Sequence, residues 1–474
     1  MNPEPLCWTA GEVAEAVGGT LLAGAPTVPL TGVGIDSRSV VPGTLFVAIR
    51  GDHHDGHRFV PDAVAAGARG VLVAGDRAGD WPVAQWGRDG TAVIGVDETL
   101  RALGALGRAQ RLRAGVRVVA VTGSNGKTST REMAAAVTSR RFVTLQPKKN
   151  FNNEIGLPLT LLSLSADHQV AVVELGMNAL GEIRRLTRIC QPDIGLITNV
   201  GPAHLEGVGS IEGVAAAKGE LFEEMASTAA VAVNADDGRV AEIARRTGWT
   251  DSGRRSIRYG VEAPAEIRAE AIAEEGGELN FTLVIGGDRV PVHLAVPGRF
   301  MVVNAVAAAA AGHLLGLTPA EIAAGLGDFR PVDGRMRIRR TESGVRIIDD
   351  TYNANPGSMA AAIGTLKSLA GAGRSILVIG DMYELGAQAE ALHREVGAAA
   401  AEAGIRRLYV VGKYAETVAG GASAAGMKHR QIVTGSRDHV TRALADALRP
   451  GDWVLIKGSR AMGMETIIHA LIDP

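Results

Sequence analysis

The chain is 474 residues long, room for about three domains, and its 46% apolar and 21% charged residues are those of a globular protein, not a disordered one. Lys and Arg total 49 against 51 Asp and Glu, so no global field draws the chain to nucleic acid or to an anionic membrane. Glycine is the outlier at 61 residues, about twice the usual roughly 7%, but no Gly-X-Y period accompanies it and collagen is excluded.

From Trp8 to Leu100 the elements are short. A helix over Ala10–Val17, the segments GIDSR and TLFVAIR, a helix through Pro61–Ala66, and strands at Gly70–Ala74 and Thr91–Val96 predict a small α/β unit. The helix Glu98–Arg113 ends in RAQRLRAG and sets a boundary near Ala114, which makes 1–114 the first domain. A strand at Val116–Val121 opens the second. Helices at Lys127–Arg140, Leu180–Ile189, Ile211–Ala226 and Asp237–Arg246 then alternate with FVTLQ, VAVVELG, IGLITNV and VAVNAD, the signature of a mostly parallel, doubly wound sheet. A strand-rich stretch over Ala265–Val296 has a hairpin turn at Gly286-Gly287, and the helix Asn304–Leu315 with the segment Pro319–Leu326 completes a domain over 115–329. Near Phe329-Arg330-Pro331 the pattern restarts. A hairpin turning at Glu342–Gly344 leads into alternating helices and strands that end with Trp453–Lys457 and a last helix, so 330–474 reads as a Rossmann-like α/β domain.

The strand VRVVAV runs into TGSNGKTST and then a helix, the context a phosphate-binding loop requires. Thr122, Gly123, Ser124, Asn125, Gly126, Lys127, Thr128 and Ser129 form the candidate nucleotide site. The two glycines permit a turn whose N–H groups face an anion, the helix N-terminus adds positive charge, Lys127 reaches the β- and γ-phosphates, and Thr128 offers its hydroxyl to Mg²⁺. The strict GxxxxGK[ST] pattern is not met, because Val121 stands where its first glycine belongs.

Ligands of open parallel sheets bind beyond the carboxyl ends of the strands. Two further strand ends, at Glu174 and at the loop bearing His204, carry a carboxylate and an imidazole suited to a divalent metal. A rival cluster, GDHHDGH with Asp52, His53, His54, Asp55 and His57, has no strand end to organise it and reads as a loop. Lys218 alone reads as a solvated helix lysine. RMRIRR places Arg335, Arg337 and Arg339 on one strand face, the pattern of a solvated edge, although one such arginine at a domain cleft would stabilise a transferring phosphoryl group. Cys7 and Cys190 lack CxxC spacing, which argues against a zinc ribbon or disulfide framework, and the start MNPEPLCWTAGE has no signal-peptide pattern, so a soluble cytoplasmic protein is expected.

These segments, followed in order by ELGMN, NVGPAHLE, AKGELF, NAVAAAA, DGRM and IDDTYNANPGSM, resemble the Mur ligase family of ATP-dependent amide-forming enzymes in peptidoglycan precursor synthesis. The resemblance covers essentially the whole chain, and the family's phosphate loop also lacks the first glycine. DSRSVVPGTLFVAIRG with DGHRF, KNFNNEIGLPLTLL, DDTYNANPGSM and GDMYELGAQAEALHREVG are similar to the members that join D-alanyl-D-alanine to UDP-MurNAc-tripeptide through an acyl phosphate. The resemblance implies ATP and Mg²⁺ as cofactors. It implies Lys127, His204, Lys218 and Arg335 as catalytic groups, and Thr128, Glu174, His204 and Lys218 around the metal, the lysine being carbamylated in relatives. Asn304 matches the adenine contact, and Arg335 and Asp350 match residues that close on phosphates and ribose. Ser37 and Arg38 fall on the UDP side, Asn150, Asn152 and Asn153 on the sugar-peptide, and Tyr352, Asn353 and Asn355 on the dipeptide. A monomer without nucleic-acid or membrane partners is expected. One departure stands out: relatives often carry His-Asn shortly before Asn304, where this chain has Arg299-Phe300-Met301. Two alternatives share parts of the pattern, a family ligase adding a single amino acid and a phosphate-loop ATPase switch.

Overall fold

The computed structural model describes residues 7–51, 54–147, 150–250 and 253–472. Three principal sheets of five, nine and six strands follow one another along the chain, giving a three-domain α/β architecture. In the first sheet the strands Gly32–Gly34, Thr44–Val47, Gly70–Ala74 and Ala92–Val96 run parallel, and Thr20–Ala23 adds an antiparallel edge. That edge strand and the small pair Trp8–Thr9 with Pro29–Leu30 were not expected, because two to four residues are too few to display a period.

The central sheet places Arg117–Thr122 between Val170–Glu174 and Ile194–Ile197, all parallel, with Ala230–Asn234, Arg255–Gly260 and Ile267–Glu275 extending it. The four strands from Arg117–Thr122 to Ala230–Asn234 are buried, mostly apolar runs because helices cover both faces. Beyond them two antiparallel hairpins turn at Gly276-Gly277 and at Gly286-Gly287, the second as expected. On one face the helix Phe300–Leu314 lies against the helix Lys127–Thr138, with Ala305–Ala311 buried throughout. Small residues set this close approach: a Cβ at Gly312 would fall 2.6 Å from Val137 Cγ1, and one at Gly325 2.5 Å from Val137 Cα. The helix begins at Phe300, four residues before the expected Asn304, where Gly298 at φ +96° turns the chain.

The helix Thr99–Ala114 joins the first sheet to the central one. Glu98 accepts from the N–H groups of Leu100 and Arg101, and Gly115 at φ +64° ends the helix. Gln110, fully buried, accepts from Trp8 Nε1 at 2.7 Å and donates to the Leu164 carbonyl at 2.7 Å, so one amide ties both units.

In the third sheet Arg346–Asp350, Trp453–Lys457, Ser375–Ile379, Arg407–Val411 and Ile432–Gly435 are parallel, with Arg337–Arg340 antiparallel at the edge. The expected face of three arginines does not form. Met336 adopts φ +56°, which separates Arg335 from the strand, while Arg337 and Arg339 pair with Asp333. Among the described residues no helix is long and apolar enough to cross a membrane.

Candidate active site

The phosphate loop sits at the centre of the central sheet, and the adjoining strand end fastens it. Thr198 Oγ1 donates to the Asn125 carbonyl at 2.6 Å, Asn199 Oδ1 accepts from the Asn125 N–H at 2.9 Å, and Ser124 Oγ donates to the Gly201 carbonyl at 2.9 Å. Glycine is compelled at two places. Gly123 has φ +146° and its Cβ would lie 1.8 Å from Thr198 Oγ1; Gly126 has φ +80° and its Cβ would lie 2.3 Å from Asn304 Oδ1. Gly126 also caps the helix Lys127–Thr138 without a side-chain hydrogen bond, so the first-turn N–H groups face an anion position.

A cavity of about 680 Å³ opens over this loop. Ser124–Ser129, His204 and Asn304 line it from the central unit, and Arg335, Asp350, Asn353 and Asn355 from the third. Arg335 Nη2 lies 3.4 Å from Thr128 Oγ1, and Asn355 Nδ2 donates to Asn125 Oδ1 at 2.8 Å, so the third unit rests directly on the loop. Tyr352 stacks beneath Arg335, 4.1 Å from ring centre to guanidinium carbon. Thr122 and Gly123 form the loop's root, with Thr122 Oγ1 donating to the Leu175 carbonyl at 2.8 Å.

Lys127 Nζ donates to the Gly123 carbonyl at 2.8 Å. Burial lowers its pKa, and Arg335 pushes the same way, while Glu174 and Glu384 oppose them. Lys218 is not a solvated helix lysine: it is 1% exposed and has no ion-pair partner among the described residues. Burial, and then the charge of Lys127, drives its pKa well below the usual lysine value, which favours a neutral, nucleophilic amine.

Glu174 is buried and shared, accepting from Thr128 Oγ1 at 2.9 Å and from Asn152 Nδ2 at 2.8 Å. Among the described residues no three His, Cys, Asp or Glu side chains converge on one point. The donors present are a carboxylate, a hydroxyl and an imidazole beside a phosphate loop. Mg²⁺ fits such a set, since it takes one or two protein oxygens and fills its octahedron with phosphate and water. The rival histidine cluster is structural where described: His57 is buried, its Nδ1 lies 2.7 Å from Asp55 and its Nε2 accepts from the Ala74 N–H. Asp52 and His53 lie outside the described residues.

Several expected substrate residues are not in this cavity. Ser37 and Arg38 lie on a short 3₁₀ turn of the first unit, where Arg38 is exposed and paired with Asp36 at 2.7 Å. Asn150 is exposed. Asn153 Oδ1 accepts from the Gly156 N–H at 2.8 Å, holding the start of the helix Gly156–Leu162.

Two cavity residues escaped the sequence reading. Lys457, 1% exposed, forms an ion pair with Asp350 at 2.5 Å and donates to the Asn353 carbonyl at 2.8 Å; burial, opposed by Asp350, lowers its pKa. The strand-end rule that found Glu174 applies to it equally, since Asp350 and Lys457 are register partners at neighbouring strand ends. Glu384 lies 2.6 Å from His204 Nδ1, and this contact, against the effect of burial, holds its carboxyl below the usual range. No strand end announces Glu384.

Fold and site together define a class: a phosphate-loop α/β protein whose nucleotide cleft is completed by a neighbouring domain. Three family models match in chain order: Mur ligase family, catalytic domain, over 29–111; Mur ligase middle domain over 121–312; and Mur ligase, glutamate ligase domain, over 334–460. The chain belongs to the Mur ligase family. It is 36% identical to the UDP-N-acetylmuramoyl-tripeptide--D-alanyl-D-alanine ligase of Bacillus subtilis, with 98% of each chain covered, and 37% identical to that of Escherichia coli, with 94% of each covered. Crystal structure I of MurF from Acinetobacter baumannii superposes with a TM-score of 0.89 at 31% identity over 100% of both chains. MurF ligase from Thermotoga maritima in complex with ADP gives 0.81 at 26%, covering 93% of this chain and 97% of that one.

Proposed function

We propose that this chain joins D-alanyl-D-alanine to UDP-MurNAc-tripeptide at the expense of ATP, as a cytoplasmic monomer, with residues 1–114 holding the UDP substrate, 115–329 the nucleotide and 330–474 the dipeptide side. The reading is supported by the near full-length likeness to ligases of that name. The single structural observation that carries it is the seating of Arg335 and Asn355 from the third unit on the phosphate loop.

The terminal carboxylate of the tripeptide attacks the γ-phosphorus, ADP leaves, and an acyl phosphate forms. Its carbonyl is then attacked by the dipeptide amine, and phosphate departs with the amide made. Phosphoryl transfer of this kind needs positioning and charge neutralisation more than covalent help. The first-turn N–H groups after Gly126 and the Lys127 ammonium hold the β- and γ-phosphates. Arg335, stacked on Tyr352, meets the equatorial oxygens from the opposite side. When bound, Mg²⁺ supplies further neutralisation between the phosphates, with Thr128, Glu174, His204 and a carbamylated Lys218 as the residues that would hold it, directly or through water. Likeness to the family assigns Asn304 to the base side, and Phe300 and Met301 line the cavity beside it in place of a polar pair. Docking of the third unit removes water that would otherwise hydrolyse the acyl phosphate.

Phosphate release measured with each substrate omitted in turn tests the reading. Release is expected to require all three substrates, and turnover indifferent to D-alanyl-D-alanine would sink it in favour of an ATPase switch.

A further inference from the structure

His204 and Glu384 belong to different units, yet they meet over the phosphate loop. His204 follows the central strand Ile194–Ile197, and Glu384 follows the third-unit strand Ser375–Ile379. Both adopt left-handed backbone, φ +56° and φ +63°, a conformation that is unfavourable for a non-glycine residue and persists where surroundings enforce it. The enforcement is visible on both sides. The Glu206 N–H donates to the Glu384 carbonyl at 3.2 Å, and Gly386, at φ +57°, brings a Cβ position within 3.6 Å of Glu206 Cα.

The loop that presents Glu384 is itself fixed. Asp381 Oδ2 accepts from the Lys413 N–H at 2.8 Å, the Met382 N–H donates to His393 Nε2 at 2.9 Å, and the Tyr383 N–H donates to Ser459 Oγ at 2.8 Å. At its tip the Glu384 carboxylate stands 2.6 Å from His204 Nδ1, as a close ion-pair contact without aligned hydrogen-bond geometry. Both residues line the nucleotide cavity.

We propose that Glu384 is the positioning residue of His204: with its carboxylate held 2.6 Å from Nδ1 it favours the tautomer protonated there and leaves the Nε2 lone pair for the nucleotide-metal centre. A carboxylate behind an imidazole sets which ring nitrogen is free and raises its basicity. Because the carboxylate comes from the third unit, His204 is oriented only when that unit is docked, which links closure to readiness of the centre. The inference rests on the proposed role of His204 at the ATP-metal site.

The test uses the full chain as wild type, Glu384→Ala and Glu384→Gln, labelled with ¹⁵N-histidine and assigned through His204→Gln. With ADP bound, wild type and Glu384→Gln are expected to show His204 protonated at Nδ1 and bare at Nε2, since an amide carbonyl still accepts the proton. Glu384→Ala is expected to show mixed tautomers. Mn²⁺ affinity of the ADP complex, read by electron paramagnetic resonance, is expected to fall about tenfold or more in Glu384→Ala and to recover largely in Glu384→Gln. kcat is expected to fall with it while KM for ATP holds. Unchanged ring shifts and unchanged Mn²⁺ affinity in Glu384→Ala would overturn the proposal. The ligase reading is judged separately by dipeptide-dependent phosphate release of the wild type, which the ring spectrum and the Mn²⁺ titration do not require.

Discussion

Replacing Lys457 by Met keeps the stem and removes the ammonium. Asp350, 7% exposed, then has a carboxylate whose ion pair with Lys457 at 2.5 Å is gone. Breaking a buried pair from one side costs about 3–5 kcal/mol, because the remaining charge is left uncompensated. At roughly 2–4 °C per kcal/mol for a unit near 150 residues, the third domain is expected to melt about 6–20 °C lower. Differential scanning calorimetry of the full chain reads this, alongside the double variant Lys457→Met/Asp350→Asn. The neutral amide is expected to restore about 1–3 kcal/mol, a strong non-additivity for residues in contact. A loss below about 1 kcal/mol, or strictly additive substitutions, would refute the view that this pair is a buried electrostatic unit.

Lys127→Ala is expected to lower turnover by at least about a hundredfold with an unchanged melting point, and a fully active variant would remove the lysine from the phosphate site. Gly126→Ala places a side chain at φ +80° against Asn304 Oδ1; about 1–3 kcal/mol of stability, and nucleotide affinity with it, are expected to be lost, as read by chemical unfolding and ADP titration. Glu321 is held down to about 2 by the Arg141 side chain and then by the Thr318 N–H. Its folded pKa is depressed, so its contribution is present above the unfolded value of 4.5 and lost as pH falls toward 2. Glu321→Gln is therefore expected to flatten the acid limb of a urea-midpoint series between those values, and an unaltered limb would contradict the assignment.

The parallel strands were legible because burial on both faces makes them continuous apolar runs, and the phosphate loop because its glycines, lysine and hydroxyls stand between such a strand and a helix. Strands of two to four residues were hidden for want of a period. Arg335 looked like one of three arginines on an edge, since a left-handed Met336 leaves no mark in a sequence. Lys218 could not be told from a surface lysine by its helix alone, because its burial depends on what covers the helix Ile211–Glu224. Glu384 was hidden for a related reason: its meaning lies in a residue 180 positions earlier, brought close by the docking of one sheet on another. The glycine surplus resolves largely into close approaches such as Gly312 and Gly325 on Val137, with Gly123 and Gly126 serving the loop.

The left-handed step at Met336 comes two residues after Gly334, which is also left-handed at φ +73°, and Arg335 stands between them. The entry into the third sheet and the arginine seated on the phosphate loop are thus one short piece of backbone. Under the proposed mechanism, any change in the dihedrals of this segment would re-aim the guanidinium, so the seating of the third unit and the placement of the charge are coupled. A substitution that bends or stiffens this short linker is therefore expected to disturb both the docking of the third unit and the position of its arginine.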